Sequence, residues 1–261
     1  MGHNDYGGLH EDLKLTGSAM KRRDMLRLAA GGVGALYLFG QAGDVSGSEG
    51  AEATCDKIPE ETAGPFPADG SNGPDVLSEA GVVRTDIRPS FAGLSGMAPG
   101  VLLTVNLQLV DLQNGCAPAA GLAVYVWHCD REGRYSLYNR GVTEQNYLRG
   151  VQESDSGGEL SFTTIFPGCY RGRWPHIHFE IFRDLAAAAD AEDKIATSQL
   201  AFPEDSCAEV YGLEGYDASA RTFRRVSLAR DSVFRDGVDR QMATMGGDAA
   251  SGFTAQLTVA V

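Results

Sequence analysis

A chain of 261 residues that is 43% hydrophobic and 22% charged has the length for one large core or two small ones. Its formal net charge of -13 argues against nucleic acid or an anionic membrane surface as a partner. The 33 glycines, with short apolar runs between Gly, Pro, Asn and Asp clusters, point to an all-β protein, and the five cysteines form no C-x-x-C pair, against a zinc ribbon or a thioredoxin-type site.

Met1 to Ala19 is polar and aperiodic and reads as disordered. Lys21-Arg22-Arg23-Asp24-Met25-Leu26-Arg27 then precedes an apolar, Gly/Ala-rich run from Leu28 to Gly40 that is too short to span a bilayer. A basic pair, a short apolar stretch and the small-x-small Ala51-Glu52-Ala53 make an export signal, cut there or near Ala42, and the paired arginines resemble the twin-arginine type. Residues 1–53 are therefore expected to be a disordered start plus export signal, giving an exported (periplasmic or extracellular) protein with no stable membrane insertion. In that compartment up to two disulfides among Cys55, Cys116, Cys129, Cys169 and Cys207 are expected, with connectivity open.

Ile58 to Pro67 is punctuated by Pro and Gly and reads as an extended arm, and Asp69 to Asp75 as an exposed linker, so residues 54–100 form an arm and linker before a domain at 101–261. Val101 to Leu109 alternates as a strand, with Leu103, Val105, Leu107 and Leu109 facing the core. A turn at Asn114-Gly115 leads to a strand from Leu122 to His128, and the turn Asp130-Arg131-Glu132-Gly133 delivers Tyr135 at its far end. Val151 to Phe166 reads as a hairpin turning at Asp155-Ser156-Gly157-Gly158, with Tyr170 just beyond Pro167-Gly168. Both tyrosines stand where a strand meets a turn, a position from which side chains reach a site.

His176 to Phe182 alternates as a half-buried strand, with His176, His178 and Glu180 on one face and Ile177, Phe179 and Ile181 on the other. Imidazoles two positions apart on a strand lie about 7 Å apart at Cα and can converge on one metal ion. Ala196 to Phe202 is a further strand, Ala218 to Asp231 a short helix, and Phe253 to Val261 a closing strand.

Val126-Trp127-His128-Cys129-Asp130, Gly133-Arg134-Tyr135-Ser136, Pro167-Gly168-Cys169-Tyr170, Arg173-Trp174-Pro175-His176-Ile177-His178-Phe179 and Thr197-Ser198-Gln199-Leu200, in this order, resemble the intradiol ring-cleavage dioxygenases, nearer their exported single-domain branch. The resemblance implies an antiparallel β-sandwich with long loops around a metal site. It implies non-haem Fe(III) held by Tyr135, Tyr170, His176 and His178, with Tyr170 and His178 axial and Tyr135 and His176 equatorial. It also implies Arg173 and Gln199 beside the substrate, with Tyr170 doubling as a base toward it, and leaves His128 structural. The implied reaction is O2-dependent opening of a catechol-type ring between its two hydroxylated carbons, giving a muconate-type diacid. Phenolate oxygen and imidazole nitrogen suit hard Fe(III) better than thiolate does, and a bound trivalent cation favours the phenolate. Two departures are visible. The Pro/Gly-rich stretch 54–100 lacks the helical dimerisation region of cytosolic relatives, and Gly64-Pro65-Phe66-Pro67 carries no Tyr after its Phe, where many relatives have one.

Two rival readings are a secreted β-sandwich binding module without catalysis, and a zinc hydrolase using His176, His178 and Glu180 or His128. The hydrolase leaves both tyrosines unexplained.

Overall fold

The structure, a computed structural model, describes residues 55–261, so the disordered start and export signal expected for residues 1–53 lie outside the described residues. The first strand, β1 (Leu102–Asp111), alternates buried and half-buried positions as its sequence predicts. It is flanked by β2 (Ala117–Pro118) and β5 (Glu159–Ile165) on antiparallel edges and by β9 (Gly252–Ala260) on a parallel one. With β8 (Thr244–Asp248) outside β9, these make one sheet in the order β2-β1-β9-β8, with β5 off β1. The second sheet runs β4 (Arg149–Glu153), β3 (Ala123–Trp127), β6 (His176–Phe182), β7 (Lys194–Ala201), antiparallel throughout. The expected antiparallel sandwich is thus present, with β1 and β9 as the one parallel pair among the described strands.

The core fills the space between the sheets. Leu103, Val105, Leu107 and Leu109 of β1 meet Val124 and Val126 of β3 and Ile177, Phe179 and Ile181 of β6, with Phe166 and Phe202 closing one end. Burying an aliphatic or aromatic side chain of this size stabilises the fold by about 1.5–3 kcal/mol before entropy is counted.

Two expectations need correction. The stretch Val151 to Phe166 is not a hairpin: β4 pairs with β3 in one sheet and β5 with β1 in the other. The turn between them docks on β1 instead, where Leu109 N–H donates to the Gly158 carbonyl at 2.8 Å. Gly158 has φ +76, and a Cβ there would strike the Leu109 carbonyl, so only glycine lets the chain cross between sheets at this point.

Strand β6 is also not half-buried, since all seven of its residues are buried. The reason is the stretch before β1. Ala68, Val76, Leu77 and Val82 pack on Tyr125, Trp127 and Phe182 and cover the outer face of the four-stranded sheet. The arm reaches that face by Ile58 N–H donating to the Ala260 carbonyl (3.0 Å) and Glu61 N–H to the Thr197 carbonyl (2.8 Å). Its start is tied to the turn before β2 by a Cys55–Cys116 disulfide. The predicted linker is exposed at residues 70–73, whereas Asp69 is buried.

Helix α1 (Glu204–Tyr211), unanticipated from sequence, buries Cys207, Val210 and Tyr211. Helix α2 (Asp217–Phe223) is shorter than the expected Ala218–Asp231. Among the described residues no helix is long and apolar enough to cross a membrane.

Candidate metal centre

Two loops and β6, which lies between β3 and β7, meet on the outer face of the four-stranded sheet. The loop after β3 is folded on the Asp130 carboxylate, which accepts from Glu132 N–H (2.9 Å), Arg134 N–H (3.0 Å) and Arg134 Nε (2.9 Å). Tyr135 N–H then donates to Asn139 Oδ1 at 2.6 Å, which fixes the start of its side chain. The loop after β5 lies directly against this one: Gly168 N–H donates to the Asp130 carbonyl at 3.0 Å, and Cys169 N–H to Ser219 Oγ of α2 at 2.9 Å. These contacts set Tyr170 beside Tyr135 with their hydroxyls 3.4 Å apart.

Strand β6 supplies the imidazoles. The Tyr170 hydroxyl lies 3.1 Å from His176 Nε2, which lies 3.1 Å from His178 Nε2. The four expected ligand residues are therefore brought together through Oη, Oη, Nε2 and Nε2. His176 Nδ1 is bonded to the Trp174 carbonyl, which only accepts, so the ring proton is on Nδ1 and Nε2 presents a lone pair. Trp127, paired with His178 across β3 and β6, stacks on its ring with centroids 4.8 Å apart and planes 7° apart. His178 Nδ1 is buried with no hydrogen-bond partner among the described residues.

The electrostatics of this cluster ask for a cation. Burial above all, then the Arg173 charge, pushes His176 down to about 3, and burial followed by the His176 and Arg173 charges holds His178 well below the usual range. Burial pushes the Tyr170 phenol up to about 12 and Tyr135 well above its ordinary value. Neutral imidazoles and phenols whose nitrogen and oxygen atoms converge on one point form a donor set that a positive ion placed there would hold together. The donor set thus fits a hard cation such as ferric iron.

Arg173 and Gln199 stand beside the cluster. Gln199, on β7 directly opposite His178, accepts from Arg173 Nη2 at 2.5 Å and donates to the Thr62 carbonyl at 3.0 Å. The arm forms the facing wall: Gly64, at φ +72, passes over His178 so closely that a Cβ there would lie 3.5 Å from its Cε1. Phe66 packs on Tyr135 at 5.1 Å between ring centroids. A separate cavity of about 850 Å3, lined by Arg171, Arg221 and Arg225, has none of the four expected ligands in its wall.

His128 has no share in the cluster, because Nδ1 is taken by the Cys129 carbonyl (2.8 Å) and Nε2 by Thr164 Oγ1 (2.7 Å). Glu180, which the zinc reading needs, turns to Lys194 (3.7 Å) and Thr197 (3.5 Å), and burial pushes its carboxyl up to about 7.

A family model described as Dioxygenase matches residues 72–176. The solved structure of an intradiol ring-cleavage dioxygenase from Tetranychus urticae is 27% identical, covers 79% of this chain and 94% of its own, and superposes with a TM-score of 0.61. In sequence and fold the chain thus resembles the intradiol ring-cleavage dioxygenases. A second dioxygenase structure gives 26% identity over 79% of this chain and 94% of that one, with a TM-score of 0.62. The dioxygenase domain of a carbohydrate-binding fusion from Streptomyces sp. SirexAA-E shares the fold at 22% identity, with a TM-score of 0.50 over 79% of this chain and 98% of its own. No curated protein matches the chain. By this likeness the chain reads as an enzyme, an oxidoreductase.

The family-model match takes in Tyr135, Tyr170, Arg173 and His176 and stops short of His178 and Gln199. One residue of the site went unseen in the sequence. Asp231, 1% exposed, binds the Arg173 guanidinium at 3.0 Å and accepts Trp174 N–H at 2.6 Å. Burial alone would raise its carboxyl, but the Trp174 N–H and the Arg173 charge hold it below the usual range. Lying 58 positions from Arg173 in an aperiodic loop, it offers no local signal.

Proposed function

We propose that the protein is a non-haem Fe(III) intradiol dioxygenase that opens a catechol-type ring with O2, between the hydroxylated carbons, to a muconate-type diacid. The observation that carries this reading is the convergence of Tyr135, Tyr170, His176 and His178 through oxygen and Nε2 atoms 3.1–3.4 Å apart. These four residues would hold the iron. Bound there, ferric iron supplies the electron withdrawal that makes a coordinated catecholate reactive toward O2.

The chain's own groups do the rest. Tyr170 is the half-buried member of the tyrosine pair, and as a phenolate it would take a substrate hydroxyl proton. Arg173, held by Gln199, stabilises negative charge that develops on the ring. Gly64 and Phe66 keep water off the opposite side. Arm and sandwich both contribute walls, so we take residues 54–261 as the working unit. Export by a twin-arginine route belongs to the same reading, and the Cys55–Cys116 disulfide supports an oxidising compartment.

The test is metal analysis and a visible spectrum of the mature protein, repeated with catechol under anaerobic conditions and then with air. Near-stoichiometric iron, a tyrosinate charge-transfer band that shifts with catechol, and a ring-opened diacid are expected. Colourless protein that takes up no iron, or holds zinc instead, would sink the proposal and favour the binding module or the hydrolase.

A further inference from the structure

We propose that Asp231 is the positioning residue of the site: it grips the Nε edge of Arg173, so that Nη1 is the edge of the guanidinium left for substrate. The proposal rests on the catechol dioxygenase reading above.

The geometry is specific. Arg173 Nε donates to both Asp231 oxygens, at 3.2 and 3.0 Å, while Nη2 donates to Gln199 at 2.5 Å. Nη1 has no hydrogen-bond partner among the described residues. A guanidinium held at two of its three nitrogens has one direction left in which to work. The Asp231 side chain is 0% exposed and that of Arg173 is 14% exposed, so the pair is little screened by solvent.

Asp231 does more than neutralise. It accepts N–H groups from Trp174 (2.6 Å), Val233 (2.8 Å) and Phe234 (3.2 Å), which locks its own oxygens. The Phe234 ring so placed lies under the guanidinium, 5.8 Å from Arg173 Cζ, and against the His176 ring at 6.2 Å. The Trp174 carbonyl, on the residue whose N–H Asp231 holds, fixes His176 Nδ1. One buried carboxylate thereby sets the direction of the cation and supports the strand entry that carries the first histidine. A carboxylate there only to hold the loop would satisfy the three N–H groups without reaching Arg173.

A double-mutant cycle in the iron-loaded full chain tests this, using Asp231→Asn, Arg173→Gln and the pair. Loss of a positioned cation should lower kcat about tenfold or more in Asp231→Asn, with a smaller change in KM. In the Arg173→Gln background the same substitution should change kcat by less than about twofold, since its effect runs through the arginine. Equal losses in both backgrounds would overturn the proposal and leave Asp231 a loop anchor. If Asp231→Asn fails to fold, Asp231→Glu, which keeps the charge and displaces it, takes its place with the same expectation. An activity-independent readout is the Nε–H resonance of Arg173 in nitrogen-labelled protein. It should be slow to exchange in the wild type and fast in Asp231→Asn, and an unchanged resonance would refute the grip. If the wild type opened no catechol, the dioxygenase reading would fail, and this resonance would still decide whether Asp231 holds Arg173.

Discussion

Lowering the pH should destabilise this protein through His128 by an amount its surroundings allow to be worked out. The ring is 1% exposed, and its nitrogens are used up as a neutral imidazole, one on the Cys129 carbonyl and one on Thr164 Oγ1. Burial chiefly, offset by the Cys129 carbonyl and reinforced by the Arg149 charge, pushes it down to about 4. Above pH 6.5 neither the folded nor the unfolded chain protonates this residue, and no penalty arises. As the pH falls below 6.5 the unfolded chain binds a proton that the folded one refuses, so stability rises with pH across this window and is lost on acidification. The loss runs at about 1.4 kcal/mol per pH unit, levels off once folded His128 itself protonates near pH 4, and totals about 3 kcal/mol. Urea denaturation of the iron-loaded wild type and of His128→Gln, from pH 7.5 to 4.5, measures it. The wild type should lose about 2.5 kcal/mol more than the variant by pH 4.5. Parallel stability curves for the two proteins would show that His128 is not held neutral by its burial, and the reasoning would fall.

Phe166 fits among Phe202, Phe253 and Tyr211, with ring centroids 4.7, 5.8 and 6.1 Å away, so Phe166→Ala should cost about 3–5 kcal/mol in chemical denaturation. Gly168→Ala drives a Cβ into the Asp130 carbonyl, the Gly133 nitrogen and Ser219 Oγ. It should cost about 1–3 kcal/mol and weaken the tyrosinate band by shifting the Tyr170 loop, whereas an unchanged spectrum would mean that the loop yields without moving Tyr170. Replacing Cys55 and Cys116 by serine opens a loop spanning 61 positions, and chain entropy alone puts the loss at about 4 kcal/mol, read as a lower unfolding midpoint in the absence of reductant.

What could be read from the sequence was whatever had a local period or a spaced motif. Alternation placed β1 and β6 correctly, because each strand lays one apolar face on the same core. The tyrosines and histidines were legible as a set because the motifs around them keep their order, although 43 positions separate Tyr135 from His178. The turn Asp155–Gly158 misled, since a polar Gly-rich turn between alternating strands looks the same whether the strands pair with each other or with β3 and β1. The burial of β6 on both faces was hidden because its cover, Ala68 to Val82, is irregular backbone whose apolar residues have no period. Helix α1 is eight residues long with only Cys207, Val210 and Tyr211 buried, too short a pattern to stand out. Asp231 was silent for a different reason: an isolated acid gains meaning only from the arginine that tertiary folding brings to it.

The parallel pairing of β1 with β9 has a consequence for the order in which the molecule is made. Leu103 lies against Phe253, 150 positions later in the chain, and among the described strands β8 pairs with β9 alone. At about 5–20 residues per second of synthesis, β1 waits with one edge bare for some tens of seconds or less. The arm waits too, since Ile58 docks on Ala260, and with it Gly64 and Phe66, which wall the candidate metal centre. The four side chains proposed to hold iron are all synthesised well before the segment that lets their outer wall close, so on that reading the cluster stays open to an incoming ion until the final strand zips in.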